Sequence, residues 1–99
     1  MAKYSISEEA IRDLDEISDY FALQSLEAGE SFIRRFADKC RNLVNFPNMG
    51  RSYTEIMPNL RGIPLDNYII LYQVIKEEIE IVRVVSGYRD LGILFDDHE

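Results

Sequence analysis

Ile11, Leu14, Ile17 and Phe21 recur every three or four positions, and Arg12, Asp13, Asp15, Glu16 and Asp19 fill the places between them. That spacing lines one face of an amphipathic helix with apolar side chains and leaves the other to water. Two serines are suited to start it. Ser5 has capping-box spacing to Glu8, while Ser7 followed by Glu8 and Glu9 would set carboxylates at the positive end of the helix dipole. Before the helix, Tyr4 and Ile6 alternate within Lys3 to Ile6, which predicts an edge strand. Gln24 to Gly29 interrupts the periodicity. It resumes with Ala28, Phe32, Phe36, Cys40 and Leu43, joined by Ile33 and Val44, as a second helix. A break this short predicts an antiparallel hairpin of adjacent helices. The second helix should stop before Phe46-Pro47, because proline disfavours the helical conformation in the residue preceding it.

Beyond Pro47 the period changes. Asn48 to Arg51 reads as a turn, and Ser52 to Asn59 as a loop or a short helical turn ahead of a strand at Leu60 to Leu65. Pro64 cannot donate to a sheet ladder, so it belongs at an edge, a bulge or the strand's end. Tyr68 to Ile75 is apolar on both of its alternating faces, as in a central strand. The charged Lys76-Glu77-Glu78 separates it from Ile79 to Val85, the pattern of an antiparallel hairpin. Strict alternation puts Ile79, Ile81, Arg83 and Val85 on one face against Glu80, Val82 and Val84. Ser86-Gly87 ends that strand. Leu91 to Phe95 is a last apolar patch ahead of an acidic tail.

A length of 99 residues and a hydrophobic fraction of 46% predict one domain, 1–99, with a core that needs neither disulfides nor a structural metal. No apolar run is long enough to cross a bilayer and the N-terminus lacks the apolar core of a signal peptide, so a cytoplasmic location is expected. The single cysteine, Cys40, falls on the apolar stripe of the second helix and reads as a buried small hydrophobe. The net charge is -7 and is spread along the chain. A polyanion would be repelled by it, which argues against direct DNA or RNA binding and for a protein partner. The acidic run Asp13, Asp15, Glu16 and Asp19 reads as a solvated helix face, and the two glycines Gly50 and Gly87 as turn residues with no phosphate-loop context.

The residues that remain are arginines and tyrosines around the sheet. Arg61, Arg83 and Arg89 could supply cations to a phosphorane, but RNA cleavage through the 2'-hydroxyl also needs a base and an acid. His98 is penultimate in the acidic tail, and Tyr68, Tyr72 and Tyr88 read first as packing residues. Arg89 beside Asp90 is suited to an ion pair anchoring Leu91 to Phe95, and Arg83 to one with Glu80 or with a partner's carboxylate.

Pro47, Gly50-Arg51, Pro58 with Leu60-Arg61, Tyr68-x-Ile70-x-Tyr72, Ile81-x-Arg83-Val84 and Gly87-x-Arg89-Asp90, in that order, resemble the RelE/ParE superfamily of type II toxin-antitoxin toxins, the ParE branch in particular. Ala10 and Asp13-Leu14 on the first helix agree, whereas Ser86 stands where a common family form has histidine. The resemblance implies an α+β fold: an N-terminal strand and a two-helix hairpin packed on a three- to four-stranded antiparallel sheet. It implies a toxin that poisons DNA gyrase by binding, is neutralised in a hetero-oligomer by a ParD-like antitoxin whose C-terminal segment wraps it, and needs no cofactor, metal or membrane. RelE-like relatives instead cut mRNA in the ribosome, and in them an arginine is followed six residues later by a tyrosine that takes part in cleavage. Here Arg89 is followed at that distance by Phe95, which cannot exchange a proton. The expected site is therefore non-catalytic, with Arg61, Arg83, Tyr88, Arg89 and Phe95 as partner-binding candidates. Under the alternative nuclease reading, Arg61 and Arg89 would be catalytic.

Overall fold

A computed structural model of the chain describes residues 3–87. Its elements run β1 (Tyr4–Ile6), α1 (Glu8–Ala22), α2 (Leu26–Asn45), β2 (Arg51–Ser52), β3 (Leu60–Leu65), β4 (Tyr68–Ile75) and β5 (Glu78–Ser86). Of the two candidate caps, Ser7 starts α1: its Oγ accepts a hydrogen bond from the Ala10 amide at 3.0 Å, while Ser5 lies in β1. The second helix begins earlier than the apolar period suggests. Ser25 caps it, accepting from the Ala28 amide, and the first residues, Leu26 and Glu27, are exposed and so leave no mark on the periodicity. Gly29 lies inside α2, not in the break, because the two helices touch there; a Cβ at that position would come within 3.0 Å of the Ser18 carbonyl oxygen. The α2 helix ends at Asn45, ahead of Phe46-Pro47 as expected.

Among the described residues the sheet has five strands in the order β1-β5-β4-β3-β2, and it is mixed, not wholly antiparallel. β1 runs parallel to β5, with Tyr4 opposite Ile79 and Ile6 opposite Ile81. A tight turn forces antiparallel pairing only on consecutive strands, and β1 reaches β5 through the whole intervening chain. The extra strand, β2, is two exposed residues paired antiparallel with β3, too short to show a period, and it includes Arg51, which the sequence placed in a turn. Pro64 is next to last in β3 and lies beyond the residues that β2 covers, so its missing N–H costs no ladder bond there. Lys76 and Glu77, with φ of 53° and 67°, make the two-residue turn between β4 and β5. Positive φ at both positions fits the right-handed twist of a hairpin.

One further departure matters for the site. The register between β4 and β5 slips between Leu71 and Tyr72: Tyr72 pairs with Ile81 but Leu71 pairs with Arg83, so Val82 is an extra residue. A bulge of this kind breaks period-two alternation. Ile79, Ile81 and Val84 therefore share the helix-side core, and Val85, expected beside the isoleucines, packs on the other face with Leu60 and Leu71.

The main core lies between the helical hairpin and the sheet, where Ala10, Leu14, Phe32, Phe36, Cys40 and Leu43 meet Ile63, Ile70, Tyr72, Ile79 and Ile81. Each fully buried large apolar side chain there contributes about 2 kcal/mol. The opposite face is smaller and is closed by Tyr53, Ile56 and Met57 from the loop between β2 and β3. That loop turns helically, with the Ile56 and Met57 amides both donating to the Tyr53 carbonyl. Among the described residues no helix is long and apolar enough to cross a membrane.

Candidate partner-binding surface

The bulge in β5 sets Arg83 toward α1. Its Nε and Nη2 donate to the two carboxylate oxygens of Asp13 at 2.7 and 3.0 Å, and the Val84 amide donates to the same carboxylate at 2.9 Å. Asp13 is thus not part of a solvated face: its side chain is 13% exposed and that of Arg83 23%. The bond from Asp13 holds the guanidinium above its ordinary range, against the opposing effect of burial. Next to this pair Ser7 ties the start of α1 to the same strand, its amide donating to the Ile81 carbonyl at 3.0 Å and its hydroxyl to that of Val82 at 2.8 Å. An open cleft of about 440 Å³ lies alongside, lined in part by Glu9, Arg12, Glu16, Tyr68 and Ser86.

A second set of bonds fixes the segment after α2. Tyr72, fully buried on β4, donates its hydroxyl to the Pro47 carbonyl at 2.8 Å and accepts from the Gly50 amide at 3.0 Å. Burial raises its pKa, partly offset by the Gly50 N–H and the charge on Arg61. Arg61, opposite Tyr72 in the β3–β4 register, donates Nη1 to the Gly50 carbonyl at 2.8 Å and to that of Asn48 at 3.3 Å. Position 50 has no room for a side chain, since a Cβ would come within 2.5 Å of the Tyr72 hydroxyl and 2.9 Å of the Gly62 carbonyl oxygen. Pro47, Gly50, Arg61 and Tyr72 from the family pattern are therefore one structural lock.

Tyr68 packs edge-on to Phe21 and Phe32, with ring centroids at 6.4 and 5.7 Å. Burial raises its phenol, with smaller contributions from Tyr20 and Asp66. Cys40 is fully buried and its thiol is pushed up to about 12. Among the described residues no group of three His, Cys, Asp or Glu side chains is arranged to hold a metal. The structure does not bring Arg61 and Arg83 into one centre: the first is tied to the segment after α2, the second to α1. Tyr88, Arg89 and Phe95 lie outside the described residues, as do Asp90 and His98.

Several large apolar side chains are exposed among the described residues. Ile11, Tyr20, Leu23, Leu26 and Ile33 stand out from the helical hairpin, and Phe46 and Met49 from the segment after it. The importance of Asp13 went unread in the charge pattern, yet it lies three residues after Ala10 and four before Ile17, at the border of the buried stripe. A carboxylate there, with an arginine at a strand bulge, was the available signal.

The chain matches a family model described as the ParE toxin of the type II toxin-antitoxin system, parDE, over residues 4–91. Toxin ParE3 of Caulobacter vibrioides is 25% identical to it over 81 residues, which is 81% of this chain and 81% of that protein. A solved structure described as the chromosomal ParDE TA system from P. aeruginosa superposes with a TM-score of 0.69 at 22% identity, covering 86% of this chain and 92% of the other, a likeness of fold. The matched span takes in both helices and all five strands of the described residues, and the chain belongs to the ParE family of toxins of type II toxin-antitoxin systems.

Proposed function

We propose that this toxin acts in the cytoplasm by binding its target, DNA gyrase, and not by chemistry of its own. A ParD-like antitoxin neutralises it. The observation that carries this reading is the engagement of the groups an RNA-cleaving site would draw on. The Tyr72 hydroxyl is closed between Pro47 and Gly50 with its pKa raised, Arg61 is fastened to two carbonyls, and the Arg83 fork is filled by Asp13. Phe95 adds no phenol. Loss of an acid-base group costs about a hundredfold to ten-thousandfold in rate. Arg61, Arg83, Tyr88, Arg89 and Phe95 are then partner-binding residues, with Arg83 acting through the shape that its pair with Asp13 imposes.

The antitoxin segment lies along the helical hairpin, where Ile11, Tyr20, Leu23 and Leu26 offer apolar anchors beside the carboxylates of α1. Its residues should be basic as well as apolar, to complement Glu8, Glu9, Asp15, Glu16 and Asp19. The test is expression of the toxin without antitoxin, with plasmid supercoiling and protein synthesis followed in the same culture. Supercoiling should fall, or cleaved gyrase-DNA complexes accumulate, before translation declines. Prompt cuts in ribosomal A sites with supercoiling intact would overturn the reading in favour of an mRNA interferase.

A further inference from the structure

Gly29, one turn into α2, is where the two helices touch: a Cβ there would lie 3.0 Å from the Ser18 carbonyl oxygen and 3.6 Å from the Ala22 Cβ. That contact fixes which residues stand level across the antiparallel pair. Equal steps from it along both helices bring Glu8 level with Arg41, Arg12 with Asp38, Asp15 with Arg34 and Asp19 with Glu30, each to within a residue. On α1 the four follow at intervals of four, three and four, and on α2 at four, four and three, so each set forms one row. All eight are exposed. Three of the four levels set opposite charges side by side, and only Asp19 with Glu30 is repulsive.

These charges do not meet within the chain. Among the described residues none of the eight forms an ion pair between α1 and α2, and the one ion pair among them joins Arg41 to Asp38 on the same helix. The helical spacing gives the reason. Ala10, Leu14 and Ile17 turn α1 toward the sheet and Ser18 and Ala22 turn it toward α2, so the row from Glu8 to Asp19 comes next around the helix, on its solvent side. The row on α2 stands likewise beyond Gly29 and Ile33. Between the rows runs an apolar seam, in which Ile11, Ile33 and Leu26 are 48%, 39% and 76% exposed. An apolar line flanked by charged rows is the layout of a helical interface, with a hydrophobic centre and ion pairs along its edges.

We infer that the outer face of the helical hairpin pairs with a second copy of this chain. A half-turn about an axis parallel to the helices lays α1 of one copy on α2 of the other at unchanged levels. Each copy then sets Glu8 against Arg41, Arg12 against Asp38 and Asp15 against Arg34 of the other, and the two seams close on one another. A half-turn about an axis across the helices would instead lay α1 on α1, which carries six acidic residues and one basic. The signs also choose the occupant. A basic segment suits the α1 row but meets Arg34 and Arg41 on α2, and an acidic one is repelled by α1, whereas the surface's own image is matched at three levels in four. The exposed pair of Arg41 with Asp38 is given up at small cost. Ile11 and Leu26 are also anchors proposed above for the antitoxin, so the two occupants exclude each other and the pair belongs to the free toxin. That exclusion rests on the antitoxin reading; the pairing itself does not.

Sedimentation equilibrium of the toxin made by cell-free synthesis tests the pairing at low salt. The mass of the wild type should climb with concentration from the 11.6 kDa of one chain toward twice that value. Two double variants reverse one row each, Glu8→Lys with Asp15→Lys on α1 and Arg34→Glu with Arg41→Glu on α2. Each alone should associate at least tenfold more weakly than the wild type. Mixed in equal amounts they should associate within threefold of it, because the reversed α1 of one meets the reversed α2 of the other at both ends of the interface. Asp19→Lys, which turns the repulsive level attractive, should tighten association at least threefold, a gain that a damaged fold could not produce. A wild type that stays monomeric at every concentration overturns the proposal and leaves the seam to the antitoxin. A dimer indifferent to both double variants overturns it in favour of another face, and a mixture no tighter than its parts shows that the charges act within the chain. None of these readouts involves gyrase or toxicity, so their failure leaves the proposed function standing, and a toxin without effect on supercoiling leaves the pairing to be judged by mass alone.

Discussion

Asp13 and Arg83, 70 residues apart in the chain, meet in a two-pronged ion pair at 2.7 and 3.0 Å that joins α1 to the bulge of β5. The same carboxylate accepts the Val84 amide, so one side chain satisfies three donors where the strand departs from its ladder. An extra residue in a strand leaves its backbone groups in need of partners, and Asp13 supplies one from outside the sheet.

Removing the carboxylate should therefore cost more than an ordinary surface pair. Asp13→Ala strands a mostly buried guanidinium and a backbone N–H, and urea unfolding should show a loss of about 3 kcal/mol. Asp13→Leu combined with Arg83→Met, which removes both charges, should recover part of that loss. A cost below about 1 kcal/mol for Asp13→Ala would mean that water replaces the carboxylate freely and that the pair is no clamp.

The lock around Tyr72 makes a different prediction. Tyr72→Phe keeps the ring but leaves the Pro47 carbonyl and the Gly50 amide without their partner, which should cost about 1 to 3 kcal/mol. Gly50→Ala should destabilise by at least as much, and Tyr72→Phe should not rescue it. The added Cβ would also come within 2.8 Å of the ring's Cε1 and 2.9 Å of the Gly62 carbonyl oxygen. Thermal unfolding of the two single variants and the double variant decides the point, and full rescue in the double would show that the hydroxyl alone excludes a side chain at position 50.

Much of this architecture was legible because apolar periodicity records burial. The stripe Leu14, Ile17, Phe32, Phe36 and Leu43 faces the sheet, and β4, apolar on both faces, is the central strand. What periodicity could not record is equally specific. Leu26 and Glu27 are exposed, so the first turn of α2 is silent, and β2 has two residues, fewer than one full alternation. The bulge at Val82 arises from pairing with β4, a tertiary relation, so the inward turn of Val84 and the partnership of Asp13 with Arg83 were hidden together. The ordered residues Pro47, Gly50, Arg61 and Tyr72 were visible as a family resemblance, but only the structure shows that they bond to one another.

The β4–β5 turn contains a local conflict that can be relieved. Lys76 and Glu77 both take positive φ, where each β-carbon costs about 1 to 2 kcal/mol relative to glycine. Replacing them with Asn-Gly, the pair favoured in such turns, should raise stability by about 1 kcal/mol, after allowance for the greater freedom of glycine in the unfolded chain. The change lies far along β5 from Arg83, so antitoxin binding and toxicity should not move. An unchanged unfolding midpoint would show that the charged side chains compensate for the strain.

Cys40 gives the chain a pH dependence whose sign is fixed by burial. Its thiol is pushed from 9.0 to about 12 in the folded protein because the thiolate would lie in the apolar core. A folded pKa raised above the unfolded one means that this contribution to stability is whole below pH 9.0 and is lost as pH rises toward 12. In that window the unfolded chain releases a proton that the folded chain keeps. Stability should therefore fall by about 1.4 kcal/mol per pH unit relative to a Cys40→Ala variant, which lacks the thiol. Urea unfolding of both proteins at pH 8.5, about 9.5 and about 10.5 isolates the effect, because every other titrating group is common to the two. The native thiol should also resist a disulfide reagent at pH 8 and react at once on unfolding. Parallel pH profiles for the two proteins, or prompt labelling of the folded chain, would show that water reaches Cys40 and that this part of the core opens without global unfolding.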